Sequence, residues 1–111
     1  MKIRILILAA LLIAIALTAA PIPSAKPIAA FTALPPFIDG KPIAFLNKTS
    51  GTVNTRIWTF GDGITSTANN PMHTFRNPGS YAVTLTVINA RGMNSITKPI
   101  LVSSRVILPA P

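Results

Sequence analysis

The sequence predicts an all-β domain, a sandwich of short antiparallel strands, behind an apolar N-terminal segment. Three observations carry that expectation. From Lys26 onward no stretch keeps a helical apolar period, whereas period-two alternation recurs between clusters of turn residues. Those clusters fall about every ten residues, the rhythm of a two-sheet sandwich. The 111 residues are 50% hydrophobic and 11% charged, which excludes a highly charged disordered chain and leaves room for one small domain with a tail. There is no Cys, so disulfide staples, thiol catalysis and thiolate metal sites are excluded together.

Taken in order, Lys2 and Arg4 precede an unbroken apolar run from Ile5 to Leu17. Small and proline-broken residues follow, from Thr18 to Ala25. This is the layout of a secretory signal peptide, and thirteen apolar residues fit the ~7–15 of its central region while falling short of the ~20 that span a bilayer. Residues 1–25 are therefore assigned to a cleaved leader. Ile5 to Ala25 also runs 21 residues without a charge, so an uncleaved N-terminal membrane anchor is the alternative, with Lys2 and Arg4 held on the cytoplasmic side. A cut after Ala25 leaves eight basic against two acidic residues, a net +6.

Residues 26–104 are assigned to an immunoglobulin-like β-sandwich. Ile28–Ala33, carrying Phe31, and Pro42–Asn47, carrying Ile43 and Phe45, are weaker strand candidates, separated by Pro35-Pro36 and Asp39-Gly40. Thr55–Phe60 places Trp58 and Phe60 on one face and Thr55, Ile57 and Thr59 on the other, the pattern of a central aromatic strand. Met72–Phe75 is short and lies between Asn70-Pro71 and Asn77-Pro78-Gly79. Tyr81–Asn89 is the clearest strand, with Tyr81, Val83, Leu85 and Val87 facing a core and Ala82, Thr84, Thr86 and Ile88 facing away. Ser95–Ser103 closes the set, and Pro99 puts it at a sheet edge or a bulge. Residues 105–111, with Pro109 and Pro111, are expected to be a short frayed tail.

The run Trp58-Thr59-Phe60-Gly61-Asp62-Gly63, followed by Ser66, Asn70-Pro71-Met72-His73-Thr74-Phe75 and Gly79-Ser80-Tyr81-Ala82-Val83-Thr84-Leu85-Thr86-Val87, resembles the PKD (polycystic kidney disease) domain family. The resemblance extends through Phe31, Gly40-Lys41-Pro42, Phe45, Asn47, Asn89, Gly92, Ile100 and Val102, and so covers about residues 27 to 103. It implies a non-catalytic module outside the cell, used for spacing, adhesion, or contact with protein or polysaccharide. Thr59 stands where the family often has an acidic residue, which weakens transfer of a calcium site described for some relatives.

Each residue of the motif also has a structural reason to be there. Trp58, Phe60 and Phe75 supply aromatic bulk between sheets, with His73 packed beside them. Gly61, Gly63 and Gly79 suit tight turns, and Asp62 can accept neighbouring backbone N–H groups. Tyr81 is placed for a tyrosine corner, its hydroxyl tied to upstream backbone.

No catalytic, cofactor or metal residues are expected. A nucleophilic set of Ser66, His73 and Asp62 has the right residue types but no evident oxyanion hole or cleft. Asp39 and Asp62, the only carboxylates, sit in separate turns, too few for zinc or a tight calcium site.

The basic residues Lys41, Lys48, Arg56, Arg76, Arg91, Lys98 and Arg105 are dispersed, as a solvated surface would have them. Net positive charge would draw the domain towards anionic cell-surface polymers or lipid head groups. Nucleic acid is not an expected partner, because the aromatics are assigned to the core. Asn47-Lys48-Thr49 is an N-glycosylation acceptor sequence at Asn47. The uncharged face of Thr55, Ile57, Thr59, Thr84 and Thr86 is the candidate contact surface.

The expected function is a secreted or surface-held module meeting a cell-surface protein or polysaccharide, with the membrane touched only through residues 5–25 if they are kept. The alternatives are a membrane-anchored structural subunit of a cell envelope and a minimal hydrolase built on His73.

Overall fold

A computed structural model describes residues 22–105; the apolar run of the expected leader and most of the expected tail lie outside the described residues. Among the described residues the fold is all-β. Seven strands form: β1 (Phe31–Ala33), β2 (Pro42–Asn47), β3 (Thr55–Thr59), β4 (Thr65–Ser66), β5 (Met72–Thr74), β6 (Gly79–Asn89) and β7 (Gly92–Val102). They make a three-stranded sheet in the order β1-β2-β5 and a four-stranded sheet in the order β4-β3-β6-β7, and every ladder is antiparallel.

The strands form where alternation predicts an inner face. Phe31, Ile43, Phe45, Trp58, Val83, Leu85, Val87, Ile100 and Val102 are all buried between the two sheets, joined by Phe60 and Phe75 at strand ends. Trp58 is fully enclosed, with the Phe31 ring edge-on at 5.1 Å and its Nε1 donating to the Ala68 carbonyl at 2.9 Å. Burying an indole leaves one donor to satisfy, and the chain after β4 supplies the acceptor.

Several boundaries differ from the expectation. The first strand contracts from Ile28–Ala33 to Phe31–Ala33, because Ala29 N–H turns across to Asn94 Oδ1 (2.7 Å) and leaves Ile28–Ser50 as an isolated bridge. Phe75 falls outside β5, its carbonyl accepting Gly40 N–H at 2.8 Å. The last strand begins at Gly92, three residues early, since Asn89 pairs with Gly92 and the tight turn is Ala90-Arg91. β4 has no counterpart in the alternation pattern, being two residues long. Pro99 does lie in an edge strand, opposite Ala82.

Two expectations about charged residues need refining. The Arg105 N–H donates to Asp39 Oδ1 at 2.7 Å, so Asp39, only 8% exposed, holds the backbone at residue 105 against the sandwich. Lys98 and Arg56 are not simply solvated. Lys98 Nζ sits 5.0 Å from the centre of the Phe31 ring and donates to the Phe31 carbonyl, closing one side of the sandwich. Arg56 is half-buried, with its Nε enclosed and unpartnered.

Two residues before Lys26 are hydrogen-bonded to the β6–β7 turn. Pro23 O accepts from Arg91 Nε (2.8 Å) and Ala25 O from Asn89 Nδ2 (2.9 Å).

Candidate functional site

The register of the four-stranded sheet decides which side chains share its outer face. Thr65, Thr59, Thr84 and Thr97 stand opposite one another across all four strands in turn. The next rows are Ile57, Thr86 and Ser95, then Thr55, Ile88 and Met93; on the other side lies Ala82 with Pro99. Neighbouring strands are ~4.8 Å apart, so the threonines form a row about 15 Å long. Within it Thr84 Oγ1 and Thr97 Oγ1 share a hydrogen bond of 2.7 Å. No side chain in these rows carries a charge. Thr55, Ile57, Thr59, Thr84 and Thr86 are thus brought together, while Thr65 and the contribution of β7 were missed. The signal that would have added β7 is the hairpin register about Ala90-Arg91, which alternation alone does not supply.

At one end of the sandwich a second cluster forms around the β3–β4 turn. Asp62 Oδ1 accepts the Ile64 N–H (3.1 Å), and Asp62 Oδ2 lies 2.7 Å from His73 Nε2. The pair is partly open, with the His73 side chain 11% and the Asp62 side chain 22% exposed. The His73 ring lies flat on Phe60 at 4.1 Å and meets Phe75 edge-on at 4.6 Å; Phe75 in turn stacks on Tyr81 at 4.2 Å. An aromatic column therefore runs from the core to the surface, and its histidine is held by ring contacts and a carboxylate.

Ser66 lies in the other sheet from His73, and its Oγ accepts the Ala68 N–H at 3.1 Å. Among the described residues no group of three His, Cys, Asp or Glu side chains could hold a metal ion.

The Tyr81 hydroxyl donates to the Asn77 carbonyl at 2.7 Å across the bend that starts β6. Tyr81→Phe removes that bond alone and is expected to cost about 1 kcal/mol, read as a lower urea midpoint. Gly79 precedes it with φ of +151° and Gly63 lies in the β3–β4 turn with φ of +92°. Asn47 is half-buried, with Nδ2 donating to Asn69 Oδ1 (2.8 Å) and Oδ1 accepting the Thr49 N–H (2.9 Å).

Comparison with known proteins follows the same outline. The family model described as PKD domain matches residues 24–103. A collagenase, ColA of Bacillus cereus, is 48% identical over 46 residues, 41% of this chain and 5% of the collagenase; a microbial collagenase of Vibrio alginolyticus is 37% identical over 60 residues, 7% of its length. The chain thus corresponds to a small fraction of these curated relatives.

Among solved structures, the PKD1 domain of the Vibrio cholerae metalloprotease PrtV superposes with a TM-score of 0.61 at 31% identity, covering 68% of this chain and 95% of that domain. A structure described as showing the promiscuous specificity of carbohydrate-binding modules from the β-sandwich superfamily superposes with a TM-score of 0.67 at 31% identity, covering 77% of this chain and 37% of that one.

Proposed function

The chain belongs to the PKD domain family, and from that premise we propose that it is a non-catalytic extracellular module that contacts a cell-surface protein or polysaccharide through the outer face of its four-stranded sheet. The observation that carries this reading is the absence of charge from that face in a chain with a net charge of +8. An uncharged row of hydroxyls and methyls can meet the hydroxyl and C–H surface of a neutral polymer, or a polar protein face, without desolvating an ion. The likeness to a collagenase, to a metalloprotease domain and to a carbohydrate-binding structure supports a binding role for the module. Ser66 lies in the other sheet from His73 and its hydroxyl is turned to the Ala68 N–H, which argues against a hydrolase built on His73 with that serine.

The fold also suits a spacer. Pro23 and Ala25 are bound beside the β6–β7 turn, and Arg105 is bound at the other end of β6. Eleven residues of strand separate those points by roughly 36 Å. Residues 1–25 are proposed to direct the module to the outside of the cell, secreted or held at the surface.

Thr59→Lys and Thr84→Lys, separately and together, test the contact face. Each places a desolvation cost at the centre of the threonine row without touching the core. Retention on the cell envelope should be lost while the melting midpoint moves by less than about 4 °C, the equivalent of ~1 kcal/mol in a domain of this size. Retention at the wild-type level would remove the face from consideration.

A further inference from the structure

The two ends of the sandwich differ in charge, and the difference falls where the chain enters. At the entering end the β6–β7 turn, the loop through Gly51 and Thr52, and residues 23–28 are bound to one another. Asn89 Nδ2 donates to both Ala25 O and Thr52 O (2.9 Å each), Asn89 Oδ1 accepts the Arg91 N–H (2.7 Å), and Ile28 exchanges two backbone bonds with Ser50. Lys26, Lys48 and Arg91 are exposed around this cluster, which contains no carboxylate. Ile22 and Ile28 stand out beside them, 73% and 65% exposed. Both carboxylates, Asp39 and Asp62, lie at the opposite end, near Ser103 and the β3–β4 turn, among Lys41, Arg76 and Arg105, so that end sets three basic side chains against two carboxylates while the entering end sets three against none.

The apolar run Ile5–Leu17 ends only six residues before Pro23. A peptide extends at most ~3.5 Å per residue, so the bound Pro23 lies within about 20 Å of the end of that run. We propose that this end of the sandwich is a membrane-docking surface for anionic lipid head groups, with Lys26, Lys48 and Arg91 supplying the charge and Ile22 and Ile28 reaching the interface. It rests on the reading of residues 5–25 as retained in the membrane, and deepens the surface-held form of the function proposed above.

Three basic side chains without a carboxylate among them match a negatively charged leaflet, and exposed isoleucines beside basic residues are the composition of an interfacial surface. The Arg91–Pro23 and Asn89–Ala25 bonds fix the orientation, because they hold the membrane-proximal chain against that end rather than letting the domain swivel. Docked this way, the domain projects the β3–β4 turn and Arg105 away from the bilayer.

The absence of native Cys allows single-cysteine labelling of the full chain. Ala90→Cys, exposed in the entering-end turn, and Ile64→Cys, 52% exposed at the far end, would each carry an environment-sensitive dye. The full chain would be reconstituted in phosphatidylcholine vesicles with and without 30% phosphatidylglycerol. The dye at position 90 should shift to the blue only with phosphatidylglycerol, the dye at 64 should not shift, and Lys26→Glu with Lys48→Glu should abolish the shift while leaving the Arg91–Pro23 bond in place. Emission at position 90 that is the same in both vesicles, from chain that floats with them, overturns the docking surface alone. Chain that does not float with either vesicle overturns the membrane reading, and the docking surface with it.

Discussion

Trp58→Ala is expected to destabilise the domain by about 3–5 kcal/mol, the usual cost of emptying a large aromatic site in a core. Trp58 has no solvent exposure and its ring touches both sheets, with Phe31 at 5.1 Å and Phe45 at 5.9 Å from the three-stranded sheet and Phe60 at 6.3 Å from its own side. The lost contacts therefore come from both layers. The Ala68 carbonyl also loses its donor, releasing the segment between β4 and β5 from the core. Since small domains are stable by ~5–15 kcal/mol in total, much of the folded population is at risk. Thermal unfolding followed by circular dichroism should show the midpoint falling by more than about 12 °C, at ~4 °C or more per kcal/mol. A fall below about 4 °C would mean that the indole does not join the sheets.

Gly61→Ala is the second large effect, and Gly63→Ala is its internal control. Both glycines have positive φ, +84° at Gly61 and +92° at Gly63. A Cβ at Gly61 would stand 2.9 Å from Ala82 O and 3.0 Å from Ala82 N, whereas one at Gly63 would meet nothing within 4 Å. The left-handed conformation alone costs an alanine about 1–2 kcal/mol. At Gly61 the obstructing atoms are backbone of β6 and cannot rotate away, so strain of a further ~1–3 kcal/mol is expected. Urea unfolding should rank the two variants well apart, with Gly61→Ala near 3 kcal/mol and Gly63→Ala near 1 kcal/mol. Equal losses would show that only the dihedral matters and that the turn does not pack on β6. Because Ala82 borders the threonine row, Gly61→Ala should also weaken contact through the outer face.

The sequence reading was strongest where a single strand carries its own pattern. Trp58 and Phe60 against Thr59, and Val83, Leu85 and Val87 against Thr84 and Thr86, are local alternations, and burial follows them residue by residue. Thr65 and Thr97 were not legible as neighbours of Thr59 and Thr84. Their proximity is a matter of register between strands, and register depends on turns whose length the alternation does not encode. The roles of Asp39 and Lys98 were hidden for a related reason: each acts on a residue 66 or 67 positions away.

What the amino-acid order determined by itself was the all-β class, the identity of the buried aromatics and the family, because these follow from periodicity and motif within short windows. Only the tertiary structure decided that four threonines line up across one uncharged face, that both carboxylates lie at the end away from Lys26, Lys48 and Arg91, and that Pro23 and Ala25 are bound into the fold. Those arrangements arise when distant segments are brought together by burying a common core, and no local window contains them.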